Sequence, residues 1–346
     1  MSMKPLKLSQ HFLSLAAMVA AISPALGQTS TAIVPRANYK VTGSIPIPDG
    51  SWDYARVDSK TSKLYVARNE SVTVVDLTTR AVSSIGAIVH GHAVVPLYPG
   101  PLLLVTSGRD DSVRLIDTVT GAEKARIAVG NDPDAAAYDP RTGRAYVMNA
   151  KAGTVSVIDI SSVKVIDTVA LKPGLEFSVG SKSTIYVNNE EANEIETIDL
   201  ATGKAGATIA LTGCAGPTGL GFDRAHKRLI SACANGKAAV TDLVTGTVTL
   251  LPIGLGPDAV IVDSERGRAF IPCGKDGTLV VIDISGSGLP TAIAKIPTEK
   301  GARTGALNPV DGTIYLPTAR FTPPATPGGK PVAIPGSAHI LVVIPQ

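Results

Sequence analysis

Short apolar stretches alternate with polar turns along most of the chain, and the pattern is clearest in residues 131–159. A polar lead-in is followed by a short apolar strand, a turn at Thr142-Gly143 and a second strand at 144–148. A loop then leads to a third strand at 154–158, which Asp159 closes. Apolar runs of this length between Gly, Asn and Asp residues are typical of β-strands. The stretch therefore predicts one unit of a β-sheet protein.

The ending of this unit, an apolar strand followed by Asp, recurs along the chain. Successive copies are 41, 42, 40, 43 and 41 residues apart, at Asp76, Asp117, Asp159, Asp199, Asp242 and Asp283. A second landmark, an aromatic residue or Leu followed by an aliphatic residue, keeps step and extends to a seventh copy at Tyr315-Leu316. A period near 42 with four short strands is typical of propeller blades. We predict an all-β, seven-bladed β-propeller with four-stranded antiparallel blades.

The two ends of the repeat array complement each other. The seventh copy ends after its third strand, and residues 39–47 supply a spare strand before the first copy. We predict that this N-terminal strand pairs with residues 338–344, completes blade 7 and closes the ring. The six repeated Asp residues precede turns, and we expect them to accept backbone N–H groups there.

The first 27 residues have the features of a signal peptide. Lys4 and Lys7 precede the apolar run 12–22, and Ala25-Leu26-Gly27 is a small-residue cleavage site. We predict a signal peptide at 1–27, a flexible segment at 28–38 and a single propeller domain at 39–346. The protein is then periplasmic or secreted, with an uncleaved anchor as the alternative. No later apolar run approaches the roughly 20 residues of a spanning helix, so we expect no membrane insertion.

Charge disfavours one class of partner. The chain has 32 Lys and Arg against 29 Asp and Glu, and loss of Lys4 and Lys7 with the leader leaves a net charge of +1. A nearly neutral chain has little electrostatic attraction for nucleic acid. We expect the partner to be a small polar molecule or another protein, and we expect the protein itself to be a monomer.

Two repeats carry a recognisable motif. The segments YVMNAKAGTVSVID and YVNNEEANEIETID combine a Tyr-Val strand, an Asn-rich loop and a strand ending in Ile-Asp. They resemble the YVTN-type β-propeller repeat family over residues 39–346. The resemblance implies an exported seven-bladed propeller, whereas related propellers include lactonases, lyases and oxidoreductases. It therefore implies a fold and leaves the activity open.

Seven polar residues occupy one position of the repeat, at the start of each predicted innermost strand. They are Asp53, His92, Asp134, Glu176, Thr218, Asp258 and Arg303. Because innermost strands surround the central channel of a propeller, these side chains should meet in one funnel. Four carboxylates around one axis repel each other unless a cation, protons or Arg303 intervenes. The position predicts a polar ligand funnel or a cation site, with turn capping as the structural alternative.

Other residues could extend this funnel. His90 and His92 form an H-x-H pair whose side chains could reach one metal ion or substrate. Trp52 could stack on a ligand ring or pack on the neighbouring blade. Loop amides could offer the oxygen ligands that Ca²⁺ prefers, namely those of Asn149, Asn188 and Asn189. The Pro-rich insertion 321–337 in blade 7 is expected on the same face, either as a lid or as a surface flap.

Three cysteines remain after the leader. Cys214 lies at the start of the fifth repeat and Cys233 ends its second strand, so we predict a disulfide between them in an oxidising compartment. Such a bond should stabilise the fold by about 3 kcal/mol. Cys273 would remain an unpaired thiol, and pairing of Cys233 with Cys273 is the alternative.

These features predict an exported propeller that binds a small polar ligand or a partner protein through its central funnel. The alternative is a metal-assisted hydrolase or lyase, similar to a lactonase, in which Asp134, Glu176 or Asp258 holds a divalent cation. In that case His92 or Arg303 would assist proton transfer or stabilise charge. We predict no cofactor, although Ca²⁺ or Mg²⁺ could occupy the funnel. The chain lacks G-x-S-x-G, G-x-G-x-x-G, Walker A and H-E-x-x-H motifs.

Overall fold

The computed structural model describes residues 1–3, 38–323 and 331–346. Seven four-stranded antiparallel sheets are arranged around a central channel and form a seven-bladed β-propeller, so the predicted fold class is confirmed. The predicted signal peptide and the segment after it lie outside the described residues, apart from residues 1–3 and 38.

The chain starts with β1 (Tyr39–Pro46), which belongs to the last blade, and then builds the blades in sequence order. Blade 1 contains β2 (Trp52–Asp58), β3 (Lys63–Arg68), β4 (Val72–Asp76) and β5 (Val82–Ile85). Blade 2 contains β6 (Gly91–Leu97), β7 (Leu102–Ser107), the 3-10 helix Gly108–Asp110, β8 (Ser112–Asp117) and β9 (Glu123–Ala128). Blade 3 contains β10 (Pro133–Asp139), β11 (Arg144–Asn149), β12 (Thr154–Asp159) and β13 (Lys164–Ala170).

The fourth strand of blade 4 is split into two short pieces that both pair with the third. This blade contains β14 (Leu175–Gly180), β15 (Thr184–Asn189), β16 (Glu194–Asp199), β17 (Lys204–Ala205) and β18 (Ile209–Ala210). Blade 5 contains β19 (Pro217–Asp223), β20 (Arg228–Cys233), β21 (Lys237–Asp242) and β22 (Val248–Pro252). Blade 6 contains β23 (Ile261–Asp263), β24 (Arg268–Cys273), β25 (Thr278–Asp283) and β26 (Thr291–Pro297).

Blade 7 joins the two ends of the chain. It contains β27 (Ala306–Leu307), β28 (Ile314–Thr318) and β31 (His339–Pro345), while the insertion adds β29 (Phe321–Thr322) and β30 (Val332–Ala333). β1 pairs with β31 along its whole length, from Tyr39 opposite Pro345 to Pro46 opposite His339. The predicted ring closure by the N-terminal strand is therefore confirmed.

The hydrophobic core lies between neighbouring blades. Leu104 and Val113 of blade 2, for example, pack with Ala145 and Val147 of blade 3 in one buried cluster. Each blade thus buries its faces only against its neighbours, which is why the apolar pattern needs a complete ring.

The repeated Asp residues fasten the hairpins between the third and fourth strands, as predicted. Asp76 accepts hydrogen bonds from the backbone N–H groups of Thr78 and Thr79 at 3.0 and 2.9 Å. The bond from Thr79 is the main reason that the pKa of Asp76 falls to about 2. These residues therefore have a structural role at the blade edges.

A β-bulge recurs near the start of the innermost strand in blades 1 to 5. In blade 1, Trp52 pairs with Arg68 and Ala55 pairs with Val66, so Asp53 and the residue after it oppose a single residue of β3. The same register shift occurs in the next four blades. Bulges redirect side chains, and here each one holds a polar residue of the predicted funnel.

The disulfide between Cys214 and Cys233 is present, with a Cα–Cα distance of 5.4 Å, and confirms the predicted pairing. Cys273 is a free, buried thiol, and burial raises its pKa to about 11. Of the Pro-rich insertion, residues 324–330 lie outside the described residues. The flanking parts pair as β29 and β30.

Candidate functional site

The start of the innermost strands, called here the upper end of the channel, gathers the seven predicted polar residues. We call this set the upper ring; it consists of Asp53, His92, Asp134, Glu176, Thr218, Asp258 and Arg303. Each comes from a different blade. Six of the seven are half-buried, and Arg303 is exposed. The upper ring divides into two arcs of paired charges with a break between them.

The first arc runs through blades 1, 2 and 3. His92 Nδ1 lies 2.7 Å from Asp53 Oδ2 and 3.6 Å from Asp134 Oδ2. A Cβ atom at Gly108 would lie only 2.9 Å from His92 Nε2, so the imidazole needs a residue without a side chain there. The arrangement makes His92 a bridge between two carboxylates.

The second arc joins blades 6 and 7. Arg303 Nε lies 2.9 Å from Asp258 Oδ2. Thr218 of blade 5 donates a hydrogen bond of 3.4 Å from its hydroxyl to the carbonyl of Pro257. Thr218 is therefore occupied by the neighbouring blade, and its role in the ring is partly structural.

Glu176 of blade 4 lies between the arcs and is the unpaired member of the ring. It forms no ion pair with any residue in the described ranges. The charged groups that most affect its pKa are other carboxylates. Burial raises its pKa well above the usual value, and the charges of Asp134 and Asp258 add to the shift. A cation brought to Glu176 would relieve both effects.

The paired members also carry shifted pKa values. Burial raises the pKa of Asp134 to about 7, with His92 opposing the shift and Asp53 adding to it. Burial likewise raises the pKa of Asp258 to about 7, with a further contribution from Asp53 and opposition from Arg303. Burial opposes a charged His92, but its hydrogen bond to Asp53 and the charges of Asp134 and Asp53 outweigh it and raise its pKa to about 9.

Two aromatic rings form a floor beneath the upper ring. Tyr54 of blade 1 and Phe177 of blade 4 reach across the channel until their ring centroids are 4.7 Å apart. We did not predict this aromatic floor from the sequence. The signal was available, because the residue after each upper-ring position is aromatic in two blades and small elsewhere: Tyr54, Ala93, Ala135, Phe177, Gly219, Ala259 and Thr304.

A cavity of about 910 Å³ opens beside blades 5 to 7 at the upper end. Its wall includes Asp258 and Arg303 of the upper ring, the neighbouring Lys275 and Lys300, and Phe321 at the base of the insertion. We call it the upper cavity. It places polar and apolar wall groups directly beside the ring and is large enough for a small molecule.

Trp52 and His90 have neighbours of their own. Trp52 packs against the core cluster shared by blades 1 and 7, and its ring centroid lies 6.4 Å from that of Phe321. His90 precedes β6, has a positive φ of 67°, and its Nδ1 lies 2.9 Å from Asn69 Oδ1. The rings of His90 and His92 meet edge to face at 4.5 Å, but their Nδ1 atoms face different partners.

The loop amides expected to be open to Ca²⁺ are buried. Asn149 donates to Thr154 and Ser156, and Asn188 donates to the carbonyls of Thr218 and Gly219. Asn189 is also buried and hydrogen-bonded. These amides therefore lie inside the fold, where their NH₂ groups fasten loops and blades, while Asn149 Oδ1 has no hydrogen-bond partner among the described residues.

The geometry of the described ranges bears on the metal hypothesis. Within them, no group of three or more His, Cys, Asp or Glu side chains has the arrangement to hold a metal ion. Three of the four ring carboxylates, those of Asp53, Asp134 and Asp258, lie within ion-pair distance of His92 or Arg303.

Comparison with known proteins supports a propeller and gives no activity. No family model matches the chain, so the relation to the YVTN-type repeat family remains a resemblance. A curated relative is the uncharacterized protein YncE of Salmonella typhi, which is 30% identical over 150 residues. The match covers 40% of this chain and only 42% of that protein.

Solved structures share the fold at low sequence identity. A hydrazine synthase of Kuenenia stuttgartiensis has a TM-score of 0.69 at 18% identity, covering 80% of this chain and 93% of the other. A chain of a mitotic checkpoint complex has a TM-score of 0.72 at 14% identity, covering 95% of this chain and 99% of the other. These similarities show the propeller architecture alone.

Two features concern the compartment. The Cys214–Cys233 disulfide is compatible with an exported protein. Across the part of the chain that the structure describes, no helix combines the length and apolar character required to cross a membrane.

Proposed function

We propose that the protein is an exported binding module that takes a small polar ligand at the upper ring, with an ammonium group of the ligand beside Glu176. The rest of the ligand extends into the upper cavity. The observation that carries the proposal is the unpaired Glu176 carboxylate between two arcs of paired charges.

The chemistry around Glu176 suits an organic cation. A single free carboxylate can accept charge-assisted hydrogen bonds from an ammonium group. The faces of Tyr54 and Phe177 below the ring can add a cation–π attraction. Ca²⁺ instead requires six to eight oxygen ligands, and most carboxylates of the ring already have a charged partner.

The disulfide supports placement of this function in the periplasm or outside the cell, because such bonds persist in oxidising compartments. The leader sequence in residues 1–27 supports the same placement.

The test is calorimetric titration of the purified protein with putrescine and with 1,4-butanediol, which has hydroxyls in place of both amines. Putrescine should bind and butanediol should bind at least tenfold more weakly. Glu176→Gln, which removes the charge and keeps the shape, should weaken putrescine binding about tenfold, or roughly 1.4 kcal/mol. Equal affinity of both compounds, or of both proteins, would contradict the proposal.

A matched control and a metal arm complete the experiment. Glu265→Gln removes the same charge from an exposed turn and should leave putrescine binding unchanged. Adding Ca²⁺, Mg²⁺ or Zn²⁺ tests the metal-assisted alternative. A large thermal shift with one of these ions that Glu176→Gln abolishes would favour a cation site over the organic ligand.

A further inference from the structure

The lower half of the channel, beyond the Tyr54–Phe177 floor, contains a second space that is partly open to solvent. Two adjoining cavities of about 400 and 390 Å³ occupy it. Both are lined by Arg56, Val57, Phe177, Val179 and Arg224. We call the combined space the lower chamber. It shares only the rings of Tyr54 and Phe177 with the ligand site proposed at the upper ring.

One charged side chain interrupts an otherwise apolar ring in this chamber. The residues three places after each upper-ring position all line it: Arg56, Val95, Ala137, Val179, Gly221, Ile261 and Ala306. Six of the seven are aliphatic or glycine. Nothing in the packing of such a ring calls for a guanidinium, so the charge of Arg56 needs a separate explanation.

Within residues 38–323 and 331–346, Arg56 forms no ion pair with an acidic side chain. Burial in the channel lowers its pKa, and the only charge interaction that counters this is with Tyr98. Its side chain is nevertheless open to the solvent inside the chamber. A guanidinium that is partly stripped of water and still accessible is a favourable site for an anion.

Four of the innermost strands end in an Asp at the lower end, and these residues do not neutralise Arg56, because each already has a partner in its own turn or in a neighbouring strand. Those partners are Tyr98 for Asp58, Arg141 for Asp139, Arg228 for Asp223 and Arg266 for Asp263. Arg224 adds a second guanidinium at the chamber wall, where it donates to the carbonyl of Gly180 at 2.6 Å and lies 4.9 Å from the Phe222 ring centroid.

We propose that the lower chamber binds a small organic carboxylate, with its anionic group on Arg56 and its apolar body against the chamber wall. A carboxylate matches the planar fork of one guanidinium. The wall around it includes Val57, Val179 and Phe177, which suit an aliphatic or aromatic body. Inorganic phosphate carries more charge and no apolar part, and it would leave this wall unused.

The test uses benzoate as the probe, with inorganic phosphate for comparison, in calorimetric titrations at low salt. Benzoate should bind the wild-type protein, and phosphate should bind at least tenfold more weakly. Arg56→Gln should weaken benzoate binding at least tenfold, whereas Arg56→Lys should retain part of it. No benzoate binding to the wild type, or undiminished binding to Arg56→Gln, would overturn the proposal.

Three further variants separate this site from a general effect. Arg144→Gln removes an exposed Arg outside the chamber and should bind benzoate like the wild type. Ala137→Leu narrows the chamber without touching Arg56 and should also weaken benzoate binding about tenfold, so the proposal can fail even if Arg56→Gln does not fold. Glu176→Gln should leave benzoate binding unchanged, which keeps this site independent of the upper ring.

Discussion

The two ends of the central channel are built from the same strands and carry opposite chemistry. At the upper end, four carboxylates face one His and one Arg, and burial with mutual repulsion raises the pKa values of Glu176, Asp134 and Asp258. At the lower end, Arg56 is the charged member of an otherwise apolar ring, and Arg224 lies at the chamber wall. The aromatic floor lies between them.

The contrast shows how a repeat protein separates architecture from chemistry. Positions that close the hairpin between the third and fourth strands, such as Asp76 and its five equivalents, repeat the same residue because blades 1 to 6 share that hairpin. The ion pairs of the upper ring instead join residues of different blades, so the residue at this position can differ from blade to blade. The bulged start of the innermost strand presents the upper-ring side chains to the channel. The regular strand that follows presents a second level of side chains, which lines the lower chamber.

The largest effect should follow from removing the floor. Tyr54→Ala deletes a buried ring in contact with Phe177 and should lower the free energy of unfolding by about 4 kcal/mol, measured by urea denaturation. Tyr54→Phe keeps the ring and should lie within about 1 kcal/mol of the wild type. If Tyr54→Ala were as stable as Tyr54→Phe, the floor would not be a packed partition.

The disulfide should stabilise one end of the channel more than the other. Replacing Cys214 and Cys233 together with Ala should cost about 3 kcal/mol of unfolding free energy and loosen the blade that carries Thr218. Dithiothreitol should destabilise the wild type and leave the double variant unchanged. Putrescine binding should weaken in this variant more than benzoate binding, and the reverse order would contradict the placement of the two sites.

Charge in the upper ring should make the fold less stable as the pH rises. The raised pKa of Glu176 means that the folded state holds its proton more tightly than the unfolded chain, so stability falls as the pH rises from about 4.5 through the folded value. His92 acts in the same direction: because its pKa is raised to about 9 in the folded state, it stabilises the fold less as the pH rises towards that value. Glu176→Gln should therefore be more stable than the wild type at pH 8, by on the order of 1 kcal/mol.

Melting temperatures between pH 5 and 8 measure this effect. The wild type should lose stability across the interval, and Glu176→Gln should lose less. The matched variant Arg56→Gln removes a charge from the lower chamber and should leave the slope unchanged. A steeper fall of melting temperature with pH for Glu176→Gln would show that the carboxylates of the upper ring do not repel each other.

The sequence predicted the fold because the fold depends on features that repeat. The spacing of Asp117 and Asp159 gives the length of one blade. The apolar strands before these residues can be buried only when neighbouring blades pack together in a closed ring. The pairing of β1 with β31 and the Cys214–Cys233 bond followed from position within the repeat.

The positions of the candidate ring residues could be read from the sequence, whereas their pairing could not. Alignment of the repeats identified the seven residues of the upper ring, but not that Asp53 and Asp134 share His92 while Glu176 has no counter-ion. Those contacts depend on distances across blades. The burial of Asn188 likewise depends on a neighbouring strand, so a loop motif alone suggested solvent exposure.

The most direct test of the account is a pair of titrations, benzoate into protein with and without saturating putrescine. The account predicts two independent sites of opposite charge, so benzoate affinity should change by less than about twofold when putrescine is bound. Glu176→Gln should then weaken putrescine binding alone, and Arg56→Gln should weaken benzoate binding alone. Direct competition between the two ligands, or loss of both from either variant, would contradict it.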